Sequence, residues 1–164
     1  MVEDLTRFRL ESALYKWVIP GLAFMPDRLN TLARRQIVLG TGSKESNYIH
    51  TRQLNGGPAL SYWQIEPATH DDLWRNFLAH RPELFACAIK AAGRSYPRAS
   101  LLLDNPTYSA FISGMIYFRS PLALPNTFDA FGQAAMWKKV YNGPGKGVMS
   151  EAVQYFRAAN EVAK

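Results

Sequence analysis

Glu45 is the residue whose neighbours in the chain best suit it to acid–base chemistry. It follows a helical stretch in which Ile37, Val38 and Leu39 supply apolar surroundings. A carboxyl held against apolar walls keeps its proton to higher pH, because burial disfavours the charged form, so it can act as a general acid near neutrality. The plainer reading is a surface glutamate at a helix end. Ser46 and Gln64 carry short donors and acceptors that can hold the hydroxyl or acetamido groups of a sugar, or the Glu45 carboxyl itself. Tyr62 and Trp63 would alternate across a strand, which assigns Trp63 to the core and leaves Tyr62 to face a ligand. The pair Gly56-Gly57 permits a tight turn close to a bound molecule.

Other chemistries fit poorly. His50, His70 and His80 are scattered without metal-ligand spacing and read as surface or capping groups, so neither a metal nor another cofactor is expected. Cys87 sits in the apolar run Leu84-Phe85-Ala86-Cys87-Ala88-Ile89, which reads as packing rather than nucleophilic catalysis. The net charge of +6 favours an anionic partner such as nucleic acid, acidic lipid or wall polymer. No helix-turn-helix or aromatic-basic signature accompanies it, so no specific nucleic acid is expected. No run of about 18 apolar residues suggests a membrane span, and the acidic opening Met1-Val2-Glu3-Asp4 does not read as an export signal.

The elements that must position these residues follow from periodicity. The length of 164 residues suits one domain over 1–164. Apolar groups at helical spacing predict a first helix over 5–18, stopped by Pro20-Gly21. A second helix, capped by Asp27, carries Leu29, Leu32, Ala33, Gln36, Ile37 and Gly40 on one face, with Gly40 and Gly42 weakening its last turn before Glu45. Tyr48-Ile49-His50-Thr51 and Leu60-Ser61-Tyr62-Trp63-Gln64-Ile65 read as two short strands around Asn55-Gly56-Gly57-Pro58. Pro67 opens a further helix that runs to Arg81-Pro82, and later helices are predicted over 82–92, 107–119, 127–141 and 148–162. The expectation is an α+β, predominantly helical domain with a small β-hairpin after the helix that carries Glu45.

Three ordered segments then carry a resemblance: Lys44-Glu45-Ser46, the stretch Gly57-Pro58-Ala59-Leu60-Ser61-Tyr62-Trp63-Gln64-Ile65-Glu66-Pro67-Ala68-Thr69, and Val140-Tyr141-Asn142-Gly143. Their order and spacing resemble the lytic transglycosylases of the lysozyme-like superfamily and small phage peptidoglycan-degrading lysins, over about residues 30–80 and 134–145. The sequence departs from the pattern at Pro58 and Ser61, where that family commonly has Ala and Gly. The resemblance implies a lysozyme-like domain that cleaves the β-1,4 linkage from N-acetylmuramic acid to N-acetylglucosamine. Glu45 would be the catalytic acid, with Ser46, Tyr62, Gln64, Tyr141 and Asn142 holding substrate.

Most glycoside hydrolases add a second carboxylate about 5 to 10 Å from the acid. None lies between Ser46 and Gln64, and candidate second acids begin at Glu66, Asp71 and Asp72. A lone carboxyl favours the transglycosylase route, in which the muramyl C6 hydroxyl closes a 1,6-anhydro ring. An inverting muramidase is the alternative, and a non-catalytic virion or wall-binding protein is another. The implied partners are peptidoglycan glycan strands and possible fellow virion proteins. A phage product made in the host cytoplasm and acting on the wall, or carried in a virion, is the implied setting.

Overall fold

Apolar groups at helical spacing build α1 (Val2–Ala13), which does not stop at Pro20 as expected. It runs on through a π turn (Leu14–Val18) into α2 (Ile19–Leu22). Proline in a helix leaves the carbonyl four residues back without a donor. Here that carbonyl, on Lys16, accepts instead from the Thr107 hydroxyl at 3.4 Å, and the Ile19 N–H reaches back five residues to Leu14 in π fashion. The remaining helices are α3 (Leu32–Ser46), α4 (Pro67–Asn76), α5 (Pro82–Ala92), α6 (Leu101–Asp104), α7 (Pro106–Arg119), α8 (Ala130–Met136) with a π turn (Trp137–Asn142), and α9 (Met149–Val162). The computed structural model describes residues 2–145 and 147–164.

The α+β expectation, with its hairpin, is overturned: the described residues are helical and contain no strand. Backbone pairing after α3 reduces to isolated bridges of Arg52 with Leu60 and of Leu60 with Ile65. The segment read as one strand folds back on itself. Leu60 and Ile65 exchange N–H···O bonds of 2.9 and 2.8 Å across a four-residue turn, in which Ser61 and Gln64 adopt φ of 71° and 49°. Two left-handed residues within four reverse the chain, so no length remains for a ladder. At the other predicted strand, Asn47 and Tyr48 (φ 50° and 54°) end α3 in left-handed geometry. The lysozyme-like domain implied by the resemblance falls with the hairpin.

Two helices form the interior. Every residue from Gln36 to Ser43 on α3 and from Tyr108 to Tyr117 on α7 is buried. A helix apolar or small on all sides packs on all sides, and α3 meets α9, α1 and α7 while α7 also meets α2, α5 and α6. The glycines expected to weaken α3 are instead where neighbours approach it. A Cβ at Gly40 would fall on the Phe156 ring of α9, and one at Gly42 on the Tyr48 hydroxyl. Thr31, not Asp27, caps α3 by accepting from the Arg34 N–H at 3.2 Å.

Several polar side chains inside this core are held by specific hydrogen bonds. Arg34 donates to the carbonyls of Leu29 (2.8 Å) and Gly114 (3.2 Å), and burial lowers its pKa to about 10. Gln36 links α3 to both ends of the C-terminal region, donating to Ala163 O at 2.8 Å and accepting from Phe128 N at 2.9 Å. His70, read as a surface or capping group, is fully buried on α4. No described helix is long and apolar enough to cross a membrane.

Candidate active site

Glu45 lies in the last turn of α3, half-buried, with Ile37, Val38 and Leu39 fully buried one to two turns earlier. Its carboxyl meets the π turn after α8. There the Trp137 indole N–H donates to Oε1 at 2.8 Å. Burial pushes the Glu45 carboxyl above its ordinary range, opposed by the Trp137 hydrogen bond and the nearby Lys44 ammonium. Desolvation outweighs both because neither neighbour forms an ion pair that would replace the lost water.

A groove of about 800 Å³ opens along this carboxyl. One wall is the reversed segment with Gln53, Ala59, Gln64, Ile65 and Glu66, extended by Thr69 of α4. The facing wall is Val140, Tyr141 and Asn142 of the π turn with the loop 143–145, and Ile116 and Arg119 come from α7. The π turn matters to this wall. Its extra residue lets the Gly143 N–H bond Lys138 O at 2.9 Å, and single π turns inside helices frequently mark functional sites. Lys138 then fixes the following loop by donating to Asn142 Oδ1 (2.8 Å) and Gly145 O (2.6 Å).

Trp137 and Tyr141 stand four residues apart and so share a face, which the π turn aims at α3 and the segment behind it. The Tyr141 hydroxyl donates to Trp63 O at 2.8 Å, and its ring stacks on Tyr117 with centroids 5.4 Å apart. Burial of that hydroxyl drives Tyr141 far above the usual phenol range, with Glu45 adding to the shift, so it remains a neutral donor. Trp63 is fully buried and donates to Val38 O at 2.9 Å, which anchors the Gln64 turn to α3. Gln64 Nε2 in turn donates to Ser61 O at 2.9 Å.

Of the residues singled out from sequence, Glu45, Gln64, Glu66, Tyr141 and Asn142 line this one groove. Ser46, Tyr62 and Asp71 do not. Ser46 is buried and occupied, donating to Gly42 O (3.1 Å) and accepting from Tyr48 N (3.0 Å) as it closes α3. Tyr62 stacks on Trp17 at 4.8 Å, against the N-terminal helix. Asp71 faces a separate surface pocket with Trp74, Arg75 and Tyr96, where its Oδ1 accepts from His70 Nδ1 at 2.9 Å. Asp72 is exposed and pairs with Arg119 at 2.6 Å.

Sequence reasoning missed Trp137, Gln53 and Arg119. Trp137 had a usable signal in its spacing of four from Tyr141 on a predicted helix. Gln53, whose Oε1 accepts from Ala59 N at 3.0 Å, had none, because a loop has no periodicity to read. Among the described residues no cluster of three His, Cys, Asp or Glu side chains is arranged to hold a metal ion. No family model, curated protein or solved structure matches the chain.

Proposed function

We propose that this chain cleaves peptidoglycan glycan strands between N-acetylmuramic acid and N-acetylglucosamine as a lytic transglycosylase, with Glu45 as general acid and then base. The observation that carries the reading is the convergence of three sequence-distant segments on one groove. Glu45, Gln64 and the pair Tyr141 and Asn142 line it together, and burial keeps the Glu45 carboxyl protonated above its ordinary range. The argument rests on the site and not on the architecture, since one chemistry recurs on unrelated folds.

In the first step Glu45 gives its proton to the bridging oxygen as the bond from muramyl C1 to that oxygen breaks, releasing the N-acetylglucosamine hydroxyl. The resulting carboxylate then takes the proton of the muramyl C6 hydroxyl while C6 oxygen bonds C1, which closes the 1,6-anhydro ring and restores the acid. No water is consumed. Gln64 and Asn142 are among the groove's neutral hydrogen-bonding side chains and are suited to hydroxyl and acetamido groups.

One observation favours a second reading. Glu66 lines the same groove as Glu45 and is exposed, so it is placed to orient a water as an inverting muramidase requires. Digesting sacculi with the purified protein and weighing the released muropeptides tests both readings. Anhydro-muramyl ends support the transglycosylase, reducing ends the muramidase, and product formation by Glu45→Gln at the wild-type rate would falsify either. Glycan strands are the proposed partner and the bacterial wall the proposed place of action.

A further inference from the structure

Charged and polar groups from α3, α7 and the π turn after α8 act on Glu45, and one of these contacts is more restrictive than the rest. An indole N–H donates and never accepts. With Trp137 Nε1 at 2.8 Å from Oε1, that oxygen must present a lone pair, and because the carbonyl oxygen of a carboxylic acid is a better acceptor than its hydroxyl, this bond favours the proton on Oε2. Trp137 is 1% exposed and is not part of the groove wall, whereas Glu45 is. The oxygen left over is the one that the indole does not engage.

Behind the indole stands a cation. The Lys44 ammonium lies 5.2 Å from the centroid of the Trp137 ring and 5.5 Å from that of Tyr155 on α9, so two aromatic faces hold it. A cation over a ring draws electron density from it and makes its N–H the better donor. No salt bridge joins Lys44 to Glu45 among the described residues, so Lys44 acts on the carboxyl through its charge across space and through the indole that it backs. The other groups facing Glu45 are the Tyr117 and Tyr141 hydroxyls, both raised by burial and neutral, with Glu66 and Arg119 farther along the same groove.

We infer that Trp137, backed by Lys44, is a positioning residue that assigns the Glu45 proton to Oε2 and so delivers it toward the groove. This rests on the acid role proposed for Glu45, but its test does not depend on turnover. The two aromatic residues come from the π turn and from α9, so the C-terminal third of the chain sets the protonation geometry of a residue on α3.

The test is an NMR titration of the full chain. The Trp137 indole resonance, assigned by its loss in Trp137→Phe, should move downfield as Glu45 ionises, with the same midpoint as the Glu45 carboxyl carbon, and should stop moving in Glu45→Gln. In Trp137→Phe the carboxyl midpoint should rise. The alkaline limb of the pH–rate profile should rise with it, and kcat should fall by about tenfold or more with KM unchanged, as expected for loss of one hydrogen bond to an ionised group. Lys44→Gln should shift the midpoint the same way by less, and Lys44→Arg should restore it. An indole resonance indifferent to Glu45 ionisation overturns the inference, even if the enzyme turns over normally. Should wild type release no product while the resonances titrate together, the proposed activity fails and the inference stands. If Trp137→Phe does not fold, the wild-type and Glu45→Gln spectra still decide it.

Discussion

The Tyr141 hydroxyl donates to the backbone carbonyl of Trp63 at 2.8 Å, joining two segments 78 residues apart. Because Gln64 follows Trp63 directly, this bond sets the distance between the groove's two walls. The Trp63 indole continues the tie into α3 through Val38 O, so Glu45, Gln64 and Tyr141 are held through one chain of contacts.

Tyr141→Phe removes that tie and keeps the ring stacked on Tyr117. The Trp63 carbonyl is then left without its partner in a buried setting, at a cost of about 1–3 kcal/mol. Urea denaturation should show a lower midpoint with an unchanged slope, and KM on glycan strands should rise as Gln64 loses its fixed place. An unchanged midpoint would mean that the bond does not hold the walls.

Glu45→Gln should raise stability at neutral pH while abolishing activity, a loss of at least about 10²-fold for a general acid. The folded-state pKa of Glu45 lies above its unfolded value, with burial as the main cause. Its stabilising contribution is therefore complete below the ordinary glutamate value of 4.5 and is lost as pH rises through the folded-state pKa. The amide keeps the bond to Trp137 without paying for a buried charge. Thermal melts of the two proteins should coincide in acid and separate as pH rises, with the variant higher. Coincident melts at every pH would sink the assignment of Glu45 as a desolvated acid.

His70 should act in the opposite sense. Asp71 can only accept at ordinary pH, so Nδ1 carries the hydrogen, and Nε2 of the neutral ring accepts from the Tyr108 hydroxyl at 2.7 Å while Tyr108 accepts from Trp74 Nε1 at 2.8 Å. Burial lowers the His70 pKa below 6.5 despite Asp71. The stability it contributes is present above 6.5 and is lost as pH falls through the depressed value, when a second ring proton would displace the Tyr108 donor. His70→Gln should be less stable near pH 7.5 by about 1–3 kcal/mol for its broken buried bonds. It should also flatten the stability curve on the acid side of 6.5, which melts across pH 4 to 8 would detect.

Gly40→Ala should be among the most damaging small changes in the protein. Helix propensity alone would make it stabilising by about 1 kcal/mol. The added methyl, however, meets the Phe156 ring, which is fully buried between α3 and α9 and has nowhere to turn. Overpacking of this kind costs about 1–3 kcal/mol, and Phe156→Leu in the same chain should recover part of it. A stabilised single variant would show that α9 can shift off α3 freely.

Much of the helical layout could be read in advance. Apolar spacing and the prolines at 67 and 82 gave α4 and α5 their first residues, and α7 and α9 begin within one residue of their expected starts. These features are local, since a missing N–H or a 3.6-residue period acts within a turn of where it is written. The candidate residues Glu45, Gln64, Tyr141 and Asn142 were also visible as residue types in order along the chain.

What the local signals got wrong were features decided by distant atoms. Pro20 reads as a stop, but a π turn and Thr107 from α7 absorb it. The segment Leu60-Ser61-Tyr62-Trp63-Gln64-Ile65 has strand composition, yet the core draws Trp63 onto Val38 O, Ser61 and Gln64 turn left-handed, and the expected hairpin is lost. Ser46 and Tyr62 have side chains fit for a ligand but are taken up by Gly42 and Trp17. The contact that most constrains Glu45 comes from Trp137, 92 residues later. Residue types alone fix which side chains can carry a proton or a hydrogen bond, because that is a property of each residue. Which of them meet comes from packing, because burial and hydrogen-bond satisfaction are settled jointly by segments that composition and periodicity treat one at a time.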